Sequence, residues 1–471
     1  MGKGGDAAAA RGGASRRGAW TLAELERHNT PQDLLLAVRG GVYDLTRFAD
    51  KHPGGRKMLH LAAGRDATVL FECYHPDTSK VEPVLAKYKV GELTRPAPGA
   101  AKAGAESPVD LPEYPPVTPF YADLKARVNA YVRDVSRYDN QWSDGLTQVG
   151  RVAVITALIA GFMWGSLACS SVALAVLFGA CAGVSRSLSG VHILHDSSHG
   201  SLGRDPKWWQ VVGAYGNDVI NGTSYFMWCH QHLIMHHVYC NMPGVDGDME
   251  GSPVLRFHQG EERKWYHRFQ AFYAMPLYGL IGLNTRVADI TSFVTGRKGR
   301  CKLMPPSLLD KLTFWGGKAA FLAVQFGAPL ALGFAPSRVL LQFLASDFFG
   351  GIYLATSFQC SHIADGVSTQ HGAGNWAEEQ VATTQDYGHG SLLTYLMTGG
   401  LNYQVVHHLL PGVSQFHYPA IQPIVAQCCK DHGVNYRCLP GVGDAVMSHL
   451  RHLHKLGNPP SGAGAKAAKA A

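Results

Sequence analysis

Four long apolar runs dominate the carboxyl-terminal three quarters of the chain. They cover residues 152–168, 171–190, 314–334 and 339–358 and contain few charged side chains. Each has about the length that a helix needs to cross a bilayer core, roughly 17–25 residues. The runs form two closely spaced pairs, which predicts two helical hairpins in a membrane. Buried core helices are the alternative, but the pairing and the length of the first apolar stretch favour the membrane.

Two hairpins return the chain twice to the side from which it started. Residues 1–151, 191–313 and those after 358 are therefore predicted to share one compartment. The broken apolar stretches in 206–294 are typical of amphipathic helices that lie in the membrane interface. Asp347, inside the fourth run, marks either a functional charge or a weaker span, because a charge is costly there.

The region before the apolar runs has the pattern of a small soluble domain. Thr21 and Glu24 form a capping-box pattern at the start of a short helix. Residues 34–38, 39–41 and 42–45 are predicted to form a strand, a turn and a strand. We therefore expect an α+β domain at 20–93, followed by an all-α membrane domain at 119–455 with four transmembrane helices and a histidine-rich cap.

The remaining segments are predicted to lack regular structure. Residues 1–19 and 456–471 are low-complexity Gly/Ala/Lys stretches, which are typical of disordered termini. Residues 94–118 contain six prolines and read as an extended linker.

Composition supports the membrane interpretation and excludes other classes. Of 471 residues, 46% are hydrophobic and only 16% are charged, whereas globular proteins average roughly 25% charged. The net charge of +7 includes no basic cluster dense enough to predict nucleic-acid binding. The ten cysteines include no C-x-x-C motif, which argues against a zinc framework or a secreted disulfide scaffold and favours a reducing compartment.

The first candidate site lies in the α+β domain. The motif His52-Pro53-Gly54-Gly55 is followed by His75, with Asp66-Ala67-Thr68 and Phe71 between them. Two imidazoles from opposite walls of an apolar pocket can hold a haem, and glycines let the backbone approach the macrocycle. This segment resembles cytochrome b5. The resemblance implies haem b, axial ligation by His52 and His75, and electron transfer.

The second candidate site consists of three histidine clusters on one predicted side of the membrane. They are His195-Asp196-Ser197-Ser198-His199, Gln231-His232-Leu233-Ile234-Met235-His236-His237 and Gln404-Val405-Val406-His407-His408. On an α-helix, residues i and i+4 share a face, which pairs His195 with His199, His232 with His236, and Gln404 with His408. Seven imidazoles are too many for one ion, so the pattern predicts two metals. His362, just beyond the fourth run, is a further candidate.

The three clusters resemble the histidine boxes of membrane fatty acid desaturases, and more closely those of front-end desaturases fused to cytochrome b5. The resemblance spans about residues 20–455 and implies a di-iron centre. The implied iron ligands are His195, His199, His232, His236, His237, His362, His407 and His408, with Gln404 as a ligand or a group that orients one.

Several positions depart from the pattern of that family or add to it. Leu194 stands where a glutamine is common, and Val406 where an acidic residue is frequent. His192 and His230 are extra histidines that we interpret as bystanders. Asp196, Asp246 and Asp248 are candidates to orient ligand imidazoles, with solvated loop acids as the alternative.

The resemblance implies an O2-dependent oxidoreductase that introduces a cis double bond into a long-chain polyunsaturated acyl chain. Regioselectivity is expected to be Δ5 or Δ4. The alternatives are a Δ6 fatty acid desaturase, a Δ8 sphingolipid desaturase, a fatty acyl hydroxylase and a non-catalytic membrane electron carrier. Expected partners are a membrane lipid or acyl-CoA substrate and an NADH-dependent cytochrome b5 reductase, at the endoplasmic reticulum with the sites facing the cytosol. The sequence leaves the acyl carrier and the oligomeric state open.

Overall fold

A computed structural model of the protein describes residues 18–94, 114, 117–135, 145–203, 205–251, 253–299, 301–369 and 375–459. Most of the predicted disordered termini (1–19 and 456–471) and most of the predicted linker (94–118) lie outside these residues.

The amino-terminal domain is α+β, as predicted. Its strands are β1 (Ala19–Trp20), β2 (Asn29–Thr30), β3 (Asp33–Val38), β4 (Gly41–Asp44) and β5 (Lys89–Leu93), in the order β1-β5-β4-β3-β2. Its helices are α1 (Leu22–Leu25), α2 (Arg56–Ala62), α3 (Thr68–Tyr74) and α4 (Glu82–Leu85). The Thr21–Glu24 capping box is present. Arg39 and Gly40 both adopt positive φ, as a tight turn between β3 and β4 requires.

The remainder is mostly helical. The helices before the second histidine segment are α5 (Pro119–Val135), α6 (Gly145–Ala168), α7 (Val172–Ser189), α8 (His195–Ser198), α9 (Pro206–Ala214) and α10 (Tyr225–Cys229). The later ones are α11 (Gln270–Tyr278), α12 (Ile281–Thr295), α13 (Leu308–Leu322), α14 (Ala328–Ala331), α15 (Pro336–His362), α16 (Trp376–Ala382), α17 (Leu392–Thr398), α18 (Gln404–Leu409), α19 (Tyr418–Asp431) and α20 (Val442–Gly457). Short strand pairs join β6 (Arg297–Lys298) to β7 (Cys301–Lys302) and β8 (Asp386–Tyr387) to β9 (Cys438–Leu439).

The prediction of four transmembrane helices is not supported as it stands. Among the described residues, three helical segments are long and apolar enough to cross a membrane: Thr147–Ala168, Val172–Ser198 and Pro336–His362. The third apolar run, 314–334, is helical as far as Ala331 and passes through a π-helical segment, Ala323–Gly327, between α13 and α14. Lys318 and Gln325 interrupt its apolar character, and it is not one of the three segments.

Small residues bring α7 and α15 into close contact. A methyl group added to Gly183 would lie 2.9 Å from the backbone nitrogen of Gly350 and would overlap the Ser346 carbonyl oxygen. Glycine at such a crossing lets two apolar helices approach backbone to backbone. This contact holds the two helices side by side. α15 ends at the predicted metal ligand His362, and α7 leads through a π-helical segment into α8, which begins at the predicted ligand His195.

Asp347, whose role the sequence left open, is paired. Its carboxylate accepts hydrogen bonds from both terminal nitrogens of Arg286, at 3.0 and 2.6 Å. The Arg186 guanidinium lies 3.6 Å away. The charge on Asp347 therefore joins α15 to α12 and α7 through ion pairs, as intramembrane charges require.

Candidate metal centre and haem site

His52 and His75 face each other in the amino-terminal domain. Their ring centroids are 6.2 Å apart, which leaves room for one iron between them. His52 Nδ1–H donates to the Gly55 carbonyl oxygen at 3.2 Å, and His75 Nδ1–H donates to that of Phe71 at 2.9 Å. These bonds set the tautomer and leave both Nε2 atoms available. Burial lowers the pKa of both imidazoles, which favours the neutral form that ligates a metal.

The haem pocket also requires glycine in the turn after His52. A methyl group on Gly54 would lie 2.9 Å from His52 Cε1, so a side chain there would displace the imidazole. Phe71 packs on His75 and Phe48 on His52, which gives the pocket apolar walls. The residues present therefore fit a haem held by two histidines.

The three histidine segments meet in the helical domain and form two adjoining groups. In the first group, ligand nitrogens of five buried imidazoles lie within 4.8 Å of one another. Its members are His195, His199, His232, His237 and His407. His407 is central, because its Nε2 lies 2.9 Å from that of His195 and 3.0 Å from that of His237.

The second group lies directly beside the first. It contains His236, Cys240, His362 and His408, with potential ligand atoms again within 4.8 Å. His237 and His408 stack at a ring-centroid distance of 4.4 Å, which joins the two groups. The structure thus brings together all eight histidines that the sequence predicted as ligands, divided five to three.

A π-helical turn divides the second histidine segment between the groups. Residues His230–His236 wind as a π-helix, and the His237 nitrogen bonds to the His232 carbonyl oxygen, five residues earlier. His232 therefore shares a group with His237, and the predicted i,i+4 pairing of His232 with His236 is wrong. A second π-helical segment, Gly190–Leu194, immediately precedes His195. Such segments are frequent at functional sites.

Chain groups hold the outer nitrogens of several of these imidazoles. The Tyr74 hydroxyl lies 2.7 Å from His199 Nδ1, and the Tyr418 hydroxyl 3.0 Å from His407 Nδ1. Asp246 Oδ2 lies 2.9 Å from His236 Nδ1, and Gln380 Oε1 2.8 Å from His408 Nδ1. Metal-bound histidines characteristically have such partners, which fix the tautomer and the ring orientation.

The Nε2 nitrogens that face the interior of the two groups are not held by other chain groups in this way. Among the described residues, His199 Nε2 and His408 Nε2 are buried without a hydrogen-bond partner, although burial of an unpaired polar atom is costly. Nε2 of His195, His232, His237 and His407 makes its short contacts with other imidazole nitrogens. An array of inward nitrogens, with the outer nitrogens of His199, His236, His407 and His408 held by chain groups, fits a metal centre.

The electrostatics also suit metal binding. Burial, together with neighbouring imidazoles, holds the pKa of His199, His232, His237, His407 and His408 well below the usual value. These rings are therefore neutral at physiological pH, which is the form that binds metals. His236 differs, because Asp246 and Asp248 overcome the effect of burial and raise its pKa to about 9.

The other residues singled out from the sequence lie near the two histidine groups. The Gln404 amide lies 2.9 Å from His362 Nε2, within reach of the second group. His230 has both nitrogens occupied, since Nδ1 donates to the Phe226 carbonyl oxygen and Nε2 accepts from the Met304 backbone. His192 donates to the Leu396 carbonyl oxygen. Both extra histidines thus lie outside the groups.

The acidic residues proposed to orient imidazoles differ in their hydrogen-bond partners. Asp246 reaches His236 directly, whereas Asp196 accepts hydrogen bonds from Arg151 and Gln415, at 3.0 and 2.7 Å. Asp196 Oδ1 is 3.6 Å from His195 Nδ1. Sequence reasoning missed Cys240, whose sulfur lies 3.4 Å from His362 Nδ1. Its only signal was its place four residues after His236.

An apolar cavity of about 340 Å³ lies next to the second histidine segment. Phe226 and Met304, the two backbone partners of His230, are part of its wall. The wall is otherwise mainly apolar, with Arg297 and Lys302 also lining it.

A haem-type domain joined to apolar helices and a buried histidine centre defines a class of membrane oxidoreductases. The family model for Fatty acid desaturase matches residues 125–440, and that for Cytochrome b5-like Heme/Steroid binding domain matches residues 21–94. The chain belongs to the fatty acid desaturase family and carries a fused cytochrome b5-like domain.

Similar proteins match along nearly the whole chain. The chain is 35% identical over 458 residues to "Delta(5) fatty acid desaturase A" of Dictyostelium discoideum, and this alignment covers 94% of each chain. The chain is 36% identical over 460 residues to "Acyl-lipid (8-3)-desaturase" of Mortierella alpina, and this alignment covers 94% of this chain and 98% of the Mortierella protein. The sequence-based prediction of a b5-fused desaturase is confirmed.

Proposed function

We propose that this protein is a front-end acyl-lipid desaturase of Δ5 type, with haem b between His52 and His75 and a pair of irons in the two histidine groups. The observation that carries the proposal is the presence, in one chain, of a two-histidine haem pocket and two adjoining groups of inward-facing imidazoles. The printed names of the most similar proteins support the Δ5 regioselectivity.

The reaction removes two hydrogens from adjacent methylene carbons and forms a cis double bond, while O2, two electrons and two protons become two molecules of water. Bound iron would supply the activation of O2 that an unactivated C–H bond requires. His195, His199, His232, His237 and His407 would hold one ion, and His236, His362 and His408 the other, with Gln404 at the second. Tyr418, Asp246 and Gln380 would keep the imidazoles oriented.

We propose that the substrate is a membrane lipid whose acyl chain reaches the centre from the bilayer. Arg297 and Lys302, which line the apolar cavity beside Phe226 and Met304, suit an anionic head group. Exposed apolar side chains on α11 and α12, such as Phe272 and Val294, support an interfacial position for these helices. An acyl-CoA substrate, Δ4, Δ6 or Δ8 regioselectivity and hydroxylation are the other outcomes that product analysis separates.

We further propose that α13 and α14 together form a fourth membrane crossing. His195, at the end of the second candidate span, and His362, at the end of the third, contribute to one centre, so the chain must cross once more between them. Near the start of α13, Asp310 contacts the haem domain. Beyond the end of α14, Phe334 packs on Trp164, near the far end of α6. α13, the π-helical segment and α14 together form one continuous helix over residues 308–331, with a length of roughly 36 Å at 1.5 Å per residue.

An even number of crossings would place the haem domain and the histidine centre on one side. We propose that this side is the cytosol and that the membrane is the endoplasmic reticulum, where an NADH-dependent cytochrome b5 reductase would supply electrons. Ten free cysteines agree with a reducing compartment.

Product analysis tests the proposal. The full chain is expressed in yeast, fed single polyunsaturated fatty acids, and its lipids are analysed by mass spectrometry with double-bond localisation. We expect a new Δ5 double bond, which His52→Ala abolishes while the non-haem iron remains bound. A hydroxylated product would overturn the reaction, and undiminished activity of a haem-free His52→Ala protein would overturn the role of the haem domain.

A further inference from the structure

The haem domain contacts the helical domain through the segment that carries its second axial histidine. Glu72 accepts a hydrogen bond from Lys125 of α5 at 2.5 Å, and this ion pair is buried. The Pro76 carbonyl oxygen accepts one from Asn129 Nδ2, one helical turn further along α5, at 3.1 Å. Residues on both sides of His75 are thus attached to the helical domain.

Between these two attachments, Tyr74 reaches the histidine centre. Its hydroxyl lies 2.7 Å from His199 Nδ1, and the two rings are nearly parallel, with a 6.3 Å centroid separation. His199 belongs to the first histidine group, and its Nε2 has no hydrogen-bond partner in the part of the chain that the structure describes. If Nε2 ligates a metal, Nδ1 carries the proton and donates to the Tyr74 oxygen.

Tyr74 therefore spans the gap between the two redox sites. It is bonded through one peptide to His75, a haem ligand in the proposed function, and hydrogen-bonded to His199, a metal ligand in that function. The sequence of bonds runs from His75 through Tyr74 to His199 without a solvent gap. Electron tunnelling falls off more slowly along such a bonded route than through space.

We propose that Tyr74 is the residue through which electrons pass from the haem to the histidine centre, an inference that rests on the proposed function. In each transfer the ferrous haem loses one electron and becomes ferric, and one ferric ion of the histidine centre becomes ferrous. Tyr74 is neither oxidised nor deprotonated. It positions His199 and completes the route, and two transfers provide the electrons for one turnover.

Further contacts keep the haem domain in this pose. Lys57 Nζ lies 3.3 Å from the Asp310 carboxylate of α13, with both side chains mostly buried. Arg65 donates to the Lys302 carbonyl oxygen at 2.5 Å. Val69 and Cys73, on α3, pack in one apolar cluster with Phe120 and Leu124 of α5. The pose thus has ionic, polar and apolar contacts on more than one side of His75.

The test is Tyr74→Phe in the full-length protein loaded with haem and iron. This change removes only the hydroxyl and retains the ring. Tyr43→Phe, in β4 of the haem domain, is the matched control, since among the described residues no hydrogen bond joins Tyr43 to the histidine centre or to the helical domain. The haem is reduced rapidly under anaerobic conditions, and the decay of its ferrous absorbance reports transfer to the ferric centre. No substrate or product is needed.

We expect unchanged haem spectra in Tyr74→Phe, with decay of the ferrous signal, expressed per iron-loaded chain, slowed about tenfold or more, because removal of a partner of a metal ligand typically reduces activity by at least that factor. Tyr43→Phe should decay at the wild-type rate. Decay of Tyr74→Phe at the wild-type rate, expressed per iron-loaded chain, would overturn the proposal, even if some iron is lost. Failure of the proposed function is distinguishable, because it shows as absence of a desaturated product in the wild type.

Discussion

The haem pocket and the histidine centre differ in how the chain builds them. His52 and His75 lie 23 residues apart in one small α+β domain, and backbone carbonyls of nearby residues orient both rings. The histidine centre draws its imidazoles from four separate segments between His195 and His408, and distant residues such as Tyr74, Gln380 and Tyr418 orient them. The first site is local and the second depends on helix packing. Disturbing the helical domain should therefore damage the second site and spare the first.

The largest effect is expected from His407→Ala. His407 Nε2 contacts imidazoles from two other segments, so its loss should release non-haem iron and reduce desaturation by more than about 100-fold, beyond the cost of removing an outer partner. Haem absorbance should be unchanged. Metal analysis and product formation measure both effects. His230→Gln is the matched control, because His230 lies outside the groups, and iron loss of similar size in that variant would contradict the assignment.

Asp246→Asn should have the next largest effect. The carboxylate holds His236 Nδ1 at 2.9 Å, and the amide cannot carry its charge. We expect a loss of about 10- to 100-fold in iron affinity or activity, with haem binding intact. Equilibrium iron titration measures the affinity. Asp444→Asn, in the first turn of α20, controls for the loss of a carboxylate elsewhere, and equal affinities of the two variants would argue against the role of Asp246.

Lys57→Glu should affect the contact between the two regions more than either site. It places one new carboxylate opposite that of Asp310, in a mostly buried ion-pair position, and breaking such a pair is destabilising. We expect several-fold slower transfer from haem to the histidine centre, with iron and haem contents unchanged. Lys57→Met removes the charge without creating repulsion and should fall between Lys57→Glu and the wild type. A rate for Lys57→Glu equal to that of Lys57→Met would show that repulsion across this contact is unimportant.

The smallest effect on chemistry is expected from Gly183→Ala. The new methyl group would collide with backbone atoms of α15 near Ser346 and Gly350, and overpacking of this kind costs about 1–3 kcal/mol. Thermal unfolding should begin at lower temperature, with non-haem iron released before haem. Gly161→Ala on α6, where a new methyl group would meet none of the described residues within 4 Å, is the control. Release of haem before iron would contradict the separation of the two regions.

The sequence predicted which residues form the two sites better than it predicted the contacts among those residues. The motif around His52 and the hairpin at β3 and β4 were recoverable because their signals are local. The histidine clusters indicated a two-metal centre, but the split between His232 and His236 was not predictable from an α-helical period, since the segment winds as a π-helix. The Tyr74–His199 bond depends on a tertiary contact that leaves no local pattern, and Cys240 had only its place four residues after His236 as a signal.

The two-metal assignment is tested most directly by the metal content of the purified full-length protein and the spectroscopic state of its iron. Inductively coupled plasma mass spectrometry gives total iron, haem absorbance gives the haem share, and Mössbauer spectroscopy reports the remainder. We expect about two non-haem irons per haem, with magnetic coupling between them. A single non-haem metal, or a pair that survives in His407→Ala, would contradict the assignment of the two histidine groups.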